Sequence, residues 1–173
     1  MPREMMPHET MPHETEAPLE HAVGSEALRV LALLDDSRQG LAALQAAAAL
    51  AEQVRAELVA LFVEDLDLLH CAAFPFSCEV GASSGVARPL SLELVESNLI
   101  RQVRRVERAL QQAAAGRELR HRLQVSRGQV ASEALAEASP GDVLVLGKAG
   151  LSGRWGSRLG STSRRLILEA PCT

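Results

Sequence analysis

Apolar and polar residues form two kinds of pattern along the chain, and each pattern predicts one kind of secondary structure. Residues 28–34 and 58–63 are unbroken apolar runs, which are typical of strands buried on both faces of a sheet. Between them, over 40–56, apolar residues recur every three or four positions and predict an amphipathic helix. Because the connections are short, the three segments predict a right-handed βαβ unit with parallel strands.

The second half of the chain continues the alternation of strand and helix. Apolar residues at steps of three and four between 92 and 110 predict a long amphipathic helix, and the alternating stretch 119–126 predicts a strand at a sheet edge. A short helix is predicted over 130–139, a buried strand over 142–147 and a last helix over 161–170. This order predicts an α/β domain with an open, doubly wound, Rossmann-like parallel sheet.

Two segments fall outside this pattern. Residues 1–26 are rich in proline and acidic residues, and they contain the pentapeptide MPHET twice in tandem at 6–10 and 11–15. They are interpreted as a disordered tail, which leaves 27–173 as the domain. Residues 65–90 lack a sustained period and hold Phe74 and Phe76. They predict an irregular excursion with one short helix, serving as a lid or a partner surface.

Composition and charge narrow the classes of function. The net charge of −4 gives no drive towards nucleic acid, and the arginines of the predicted long helix are interleaved with glutamates, as on a solvated face. Three cysteines without a CxxC pair argue against a disulfide framework and suit the cytoplasm. The spacing of His70, Cys71 and Cys78 is wrong for zinc, and two tail histidines make a weak metal site. No apolar run is long enough to span a membrane.

The strongest candidate for chemistry is the stretch GKAGLSGRWGSRLGST at 147–162, which follows the last predicted buried strand. It is either a cradle for phosphate or a flexible connection. It carries Lys148, Arg154 and Arg158 but no acidic residue, and it leads into a helix whose N-terminal N–H groups attract anions. This charge bias favours a phosphate ligand. Neither GxxxxGK[ST] nor GxGxxG is present, so the P-loop and the dinucleotide fingerprint are absent.

The spacing Gly147-x2-Gly150-x9-Gly160-Ser161 resembles the universal stress protein family, whose ATP-binding members carry G-x2-G-x9-G-[S/T] after their fourth strand. The resemblance extends from about residue 28 to residue 171 and includes LLDDS at 33–37 and ALFVED at 60–65. It implies a regulatory stress-response protein that binds an adenine nucleotide, with slow or no hydrolysis. The nucleotide implied is ATP, with AMP and ADP as alternatives and Mg²⁺ as an optional companion ion, and a homodimer is also implied.

The same resemblance implies nucleotide contacts for nine residues: Asp35, Val63, Leu146, Gly147, Lys148, Gly150, Gly160, Ser161 and Thr162. Asp35 would accept hydrogen bonds from the adenosine, and Val63 would read the adenine edge through its backbone. Leu146 and the first two glycines would line the ribose and phosphate path, while 160–162 would hold phosphates. Two structural alternatives stay open, since Asp35 could only end a strand and Ser161 could only cap a helix.

Two features depart from the family pattern. Lys148 stands where a hydroxyl residue is common, so it either contacts a terminal phosphate or points to solvent. The family also ends on a short apolar edge strand that often forms the dimer contact, and residues 171–173 lie where it should begin, so this strand is expected to be missing.

Three functions are compared on this basis. The first is the ATP-binding regulatory protein, with weak ATPase activity at most, because no carboxylate or histidine is evidently placed to activate water. The second is a nucleotide-independent interaction or sensor module on the same fold, favoured by Lys148 and by the phenylalanines of the excursion. The third is a nucleotidylyl transferase, which is disfavoured because DDSRQG at 35–40 offers no histidine-rich phosphate motif.

Overall fold

The computed structural model describes residues 28–81, 83–147 and 159–173, and the predicted tail as well as Lys148 and Gly150 lie outside these ranges. Strands and helices alternate along the described part of the chain. Their order is β1 Arg29–Leu34, α1 Arg38–Val54, β2 Glu57–Asp65, α2 Leu66–Ala72, β3 Cys78–Val80, β4 Ala87–Pro89, α3 Leu92–Ala114, β5 His121–Gly128, α4 Val130–Glu137, β6 Val143–Leu146 and α5 Ser161–Glu169.

The central sheet is parallel, with the strand order β5-β2-β1-β6. Val30 of β1 is paired with Leu58 on one side and with Val143 on the other. The chain therefore runs from β1 outward through β2 to β5, and then returns past β1 to form β6. This reversal makes the carboxyl ends of β1 and β6 the topological switch point, where doubly wound folds bind ligands. The predicted fold class is confirmed.

Two aliphatic cores lie on opposite faces of this sheet. One contains Leu44 of α1 and Val106 of α3, both fully buried, and the other contains Leu166 of α5 and Ala134 of α4. In β1, Val30 contributes to the first core and Leu31 to the second, because successive side chains of a strand point to opposite faces. The central position of β1 explains its unbroken apolar sequence.

The edge strands differ from the central ones in burial. β5 lies at one edge, as the sequence predicts, but its burial does not follow the apolar–polar alternation of its sequence, since Val125 is exposed while Gln124 and Ser126 are half-buried. β6 is half-buried at all four positions, so the prediction of a strand buried on both faces is wrong there. Its position at the other edge is the reason.

The end of the chain runs beside this outer edge of β6. The N–H of Thr173 donates to the carbonyl of Asp142 at 3.2 Å, and the N–H of Leu144 donates to the carbonyl of Thr173 at 2.6 Å. These two bonds flank Val143 in the pattern of a parallel β-bridge. Thr173 is therefore paired with the outer edge of β6, and the absence of a final edge strand stays a prediction.

The excursion contains more regular structure than its sequence predicts. The expected short helix is α2, which packs Leu69 and Ala72 into the first core. A small antiparallel hairpin of β3 and β4 follows, and its three-residue strands are too short to show a period. Phe74 and Phe76 are 56% and 82% exposed, and their rings stack with centroids 6.2 Å apart.

A buried ion pair joins the amino ends of β1 and β6. Arg29 donates from Nε to Asp142 Oδ1 at 2.9 Å and from Nη2 to Oδ2 at 2.6 Å. Asp142 is buried, and it also accepts the backbone N–H of Ser139 at 2.8 Å. Arg29 reaches the carbonyl of Glu137 as well, at 3.2 Å. This network ties the end of α4 and the start of β6 to the central strand.

No helix of the described ranges combines the length and the apolar character that a membrane crossing requires.

Candidate functional site

A cavity of about 250 Å³ opens at the switch point, between the carboxyl ends of β1 and β6 and the first turns of α4 and α5. Its walls are formed by Leu33, Leu34, Asp35, Val130, Leu146, Gly147, Gly160, Ser161, Thr162 and Ser163. Six of the nine residues that the sequence nominates are in this group. The two strand ends and the helix start meet there because the carboxyl ends of parallel strands share one edge of the sheet.

One wall of the cavity is apolar. Leu33, Leu146 and Val130 contribute to it, and all three are half-buried while they pack against the second core. Leu33 is therefore less enclosed than its neighbours Leu31 and Ala32, which are completely buried in the same strand. A flat apolar ligand group could cover this wall and remove its surface from water.

The other wall is the beginning of α5. Gly160 is its N-cap residue, with φ −63° and ψ 159°, and no side chain of the described residues caps this end. The first bond of the helix runs from Arg164 N–H to the carbonyl of Gly160 at 2.9 Å. The N–H groups of 161–163 precede that bond and have no partner within the helix, so they present partial positive charge to the cavity. Ser161 and Thr162 add two hydroxyl donors there, whereas the hydroxyl of Ser163 is bonded to the protein backbone.

Gly147 joins the end of β6 to two neighbouring helices. A Cβ at this position would lie 3.4 Å from the Gln39 carbonyl carbon and 3.4 Å from the Gly40 nitrogen, so α1 packs closely against it. The hydroxyl of Ser163 donates to the Gly147 carbonyl at 3.3 Å. Gly147 thus has a packing role that is independent of any ligand. The sequence analysis omitted Ser163, although the run of three hydroxyl residues at 161–163 signals it.

Asp35 lines the cavity and also shapes the turn between β1 and α1. Its Oδ1 accepts the hydroxyl of Ser37 at 2.5 Å and the backbone N–H of Ser37 at 3.2 Å. Ser37 is in turn the N-cap of α1, where its hydroxyl oxygen accepts the N–H of Gly40 at 3.0 Å. A structural role for Asp35 is therefore present. Its Oδ2 has no hydrogen-bond partner among the residues that the structure describes.

Among the described residues, Val63 is the nominated one that does not line the cavity. Its side chain is buried in the second core, and its Cα pairs with Ser126 of β5. The pairing of β1 with β2 stops at Leu34 and Phe62, so Val63 lies one residue beyond it. A contact of its backbone with a base stays a prediction, as do the contacts of Lys148 and Gly150, which lie outside the described residues.

The sequence analysis also missed three apolar lining residues, Leu33, Leu34 and Val130. Apolar strand residues near a switch point are the signal for the two leucines. Val130 is the first residue of α4, directly after the N-cap residue Gln129, and only the packing of that helix brings it to the cavity. Across the three described ranges, no three His, Cys, Asp or Glu side chains are grouped so as to hold a metal ion.

Comparisons with known proteins place the chain in a family. Residues 27–173 match the universal stress protein family. The universal stress protein UspA from Lactobacillus plantarum has a similar structure, with a TM-score of 0.60 and 22% identity over 84% of this chain and 94% of that one. Hypothetical protein MJ0577 has a TM-score of 0.58 and 16% identity over 84% and 93% of the two chains.

A third solved structure, a universal stress protein in complex with cAMP, has a TM-score of 0.42 and 17% identity over 84% of this chain and 92% of that one. No curated protein sequence matches the chain. The two closer structural likenesses agree with the parallel sheet and its strand order. On the strength of the match over residues 27–173, the chain belongs to the universal stress protein family.

Proposed function

We propose that this protein binds an adenine nucleotide in the cavity at the carboxyl ends of β1 and β6, and that it acts as a regulatory protein. The nucleotide proposed is ATP. The observation that carries the proposal is the pairing of an apolar wall with an uncapped helix start in one cavity. A nucleotide has the matching two halves, a flat base and a charged phosphate chain. AMP and ADP satisfy the same chemistry with fewer phosphate contacts.

The phosphate end is assigned to α5. Free N–H groups at a helix start and the positive end of its dipole stabilise an anion. No atom of the described residues lies within 4 Å of the position that a Cβ at Gly160 would occupy, so phosphate oxygens could approach the backbone there. Lys148, Arg154 and Arg158 of the connecting loop would add positive charge.

The adenosine end is assigned to the apolar wall and to Asp35. Leu33, Leu146 and Val130 would cover the base and the ribose. Asp35 would accept a ribose or base hydrogen bond through Oδ2, because Oδ1 is held by Ser37. Val63 would contact the adenine edge through its backbone.

Slow or absent hydrolysis forms part of the proposal. Asp35 is the one titratable side chain among the described residues that line the cavity, and one of its oxygens is already bonded within its own turn. General-base activation of water requires a group free to take the proton. A Mg²⁺ ion would be held mainly by the phosphates, as is common for nucleotide complexes.

Calorimetric titration of the full chain with ATP tests the proposal. We expect saturable binding of one nucleotide per chain with a dissociation constant below about 1 mM, and a rise in melting temperature with ATP concentration. AMP should bind more weakly because it lacks two phosphates, and GTP serves as the control for the base. A folded protein that gives neither binding heat nor a thermal shift would refute the assignment.

A second candidate function, a nucleotide-independent interaction module, is favoured by the exposed phenylalanine pair. Phe74 and Phe76 stack on each other in a segment whose neighbours Val80 and Val86 are also exposed, at 65% and 51%. Clustered apolar side chains at a surface commonly mark interaction sites. This candidate places function on the excursion instead of in the cavity.

The double substitution Phe74→Ser and Phe76→Ser tests whether this surface is free in solution. The free energy of unfolding should change by less than about 0.5 kcal/mol, because both side chains are exposed. Fluorescence of an apolar dye such as ANS should fall relative to the wild type, and ATP affinity should not change. Unchanged dye binding would show that the two rings are not an accessible surface, and a large loss of stability would show that they belong to the core.

A further inference from the structure

We propose that Arg105 and Gln102 of α3 form a latch that positions the turn between β1 and α1, and with it Asp35 in the nucleotide site. The inference rests on the function proposed above. It concerns Asp36, a residue that does not line the cavity but lies between Asp35, which does, and Ser37, which caps α1. Arg105 and Gln102 are positioning residues, since neither lines the cavity.

Both carboxylate oxygens of Asp36 are held from α3. Gln102 Nε2 donates to Oδ1 at 3.4 Å, and Arg105 Nη2 makes an ion pair with Oδ2. The two contacts join residues 66 and 69 positions apart in the sequence. The Asp36 side chain is only 10% exposed, whereas that of Arg105 is 47% exposed. Asp36 is therefore largely withdrawn from water, and α3 provides its partners.

The turn that carries Asp36 also forms one side of the cavity, through Asp35. Ser37 binds Asp35 Oδ1 on one side and the Gly40 N–H on the other, so the turn and the start of α1 move together. Gly147 packs against this same start of α1. A latch on Asp36 therefore fixes the direction of the Asp35 carboxylate relative to the end of β6.

The latch also compensates charge close to the site. Asp35 and Asp36 are adjacent carboxylates, and the proposed ligand is a polyanion. Without Arg105, Asp36 would keep an uncompensated negative charge within roughly a Debye length, about 8 Å, of Asp35. Mutual repulsion would then favour other turn conformations and oppose the phosphates. Two other arginines of α3 bond within their own helix, Arg101 to the Asn98 side chain and Arg108 to the Arg104 carbonyl.

Arg105→Ala tests the latch with two independent readouts. ATP affinity by calorimetry should fall about 5- to 10-fold, as expected for the loss of a charge-assisted contact next to the site. Hydrogen exchange of the amides of 35–41, measured without nucleotide, should become faster by a similar factor. Arg104→Ala is the matched control, because it removes an exposed arginine from the neighbouring position of α3 and should leave both readouts unchanged.

A double-mutant cycle with Asp36→Ala separates the pair from the individual side chains. The latch predicts that the double variant is no worse than either single variant, and that Arg105→Lys recovers part of the affinity. Fully additive losses would overturn it. A fall in affinity with unchanged exchange would also overturn it, because it would indicate a distant charge effect without positioning.

The two proposals fail in different ways. If the wild type binds no nucleotide, the proposed function fails, while the exchange measurement on the free protein still decides the latch. If the wild type binds ATP and Arg105→Ala changes neither affinity nor exchange, the latch fails and the nucleotide site stands.

Discussion

Gly160→Asp is expected to abolish nucleotide binding and to leave the protein at least as stable as the wild type. The two effects have one cause. Gly160 occupies the N-cap position of α5 with φ −63° and ψ 159°, and within the described part of the chain no atom lies within 4 Å of the position that its Cβ would take. An aspartate fits there, and its carboxylate accepts the free N–H groups of the first turn, which stabilises the helix by a few tenths of a kcal/mol or more. The same N–H groups are those assigned to phosphate, so the carboxylate competes with the ligand and repels it.

Calorimetry with ATP and thermal unfolding are the two measurements for Gly160→Asp. We expect a loss of affinity of at least about 100-fold, equivalent to about 2.7 kcal/mol, with an unchanged or higher melting temperature. Gly160→Asn is the matched control, because it caps the helix equally well without the charge and should lose less affinity. If Gly160→Asp binds ATP as the wild type does, the phosphates are not at α5. If it unfolds, the described geometry of the cap is wrong.

Of the substitutions proposed for this protein, Asp142→Ala is expected to lower the free energy of unfolding most, by about 3 kcal/mol. This corresponds to roughly 10 °C in melting temperature for a domain of this size. The substitution leaves Arg29, which is 23% exposed, without the carboxylate that accepts two hydrogen bonds from its guanidinium. It also removes the acceptor of the Ser139 N–H. Denaturant unfolding measures the change. Glu169→Ala is the control, since its ion pair with Arg165 is exposed at 50% and 45% and should contribute less than about 0.5 kcal/mol.

The same residue gives stability a defined dependence on acid. Burial raises the pKa of Asp142, but the hydrogen bonds from Arg29 and Ser139 and the charge of Arg29 lower it by more, so the pKa lies below the ordinary value of 3.8. The unfolded chain therefore takes up this proton at a higher pH than the folded chain does. The contribution of Asp142 is complete above about pH 4 and is lost as the pH falls through the lower, folded pKa.

Asp142→Ala should flatten the decline of stability below about pH 4, and ATP affinity at neutral pH should not change, because Asp142 lies at the opposite end of the sheet from the cavity. A variant with wild-type stability and an unaltered acid profile would show that the buried pair does not hold the sheet together.

The sheet could be predicted from the sequence because its central strands carry an uninterrupted signal. β1 and β2 need apolar residues on both faces, so the runs at 28–34 and 58–63 locate them within two residues. The hairpin of β3 and β4 could not be predicted, because three exposed residues per strand leave no periodic pattern. The burial of β6 was overestimated for a related reason: its composition is that of a central strand, but its position is at an edge.

Some residues of the candidate site could likewise be predicted from the local sequence, whereas others depend on contacts between segments that are distant in the sequence. Asp35, Gly147 and Gly160 follow from strand ends and helix starts, which the sequence marks, and the fold brings them to one cavity. The bond of Ser163 to Gly147 and the contact of Arg105 with Asp36 depend on how helices pack, and no local pattern encodes them. The arginines of α3 were correctly assigned to an exposed face, but periodicity cannot show that one of them reaches another turn.

The most direct test of the central claim is a two-dimensional ¹H–¹⁵N NMR titration of the full chain with ATP. The proposed site predicts saturable shifts that are largest for the amides of Gly160, Ser161, Thr162 and Gly147, with smaller shifts at Asp35 and Val63. The signals of the amides at the amino ends of the strands, around Arg29 and Asp142, should not shift. Shifts centred on the excursion, or no shifts in a folded protein at millimolar ATP, would contradict a nucleotide site at the ends of β1 and β6.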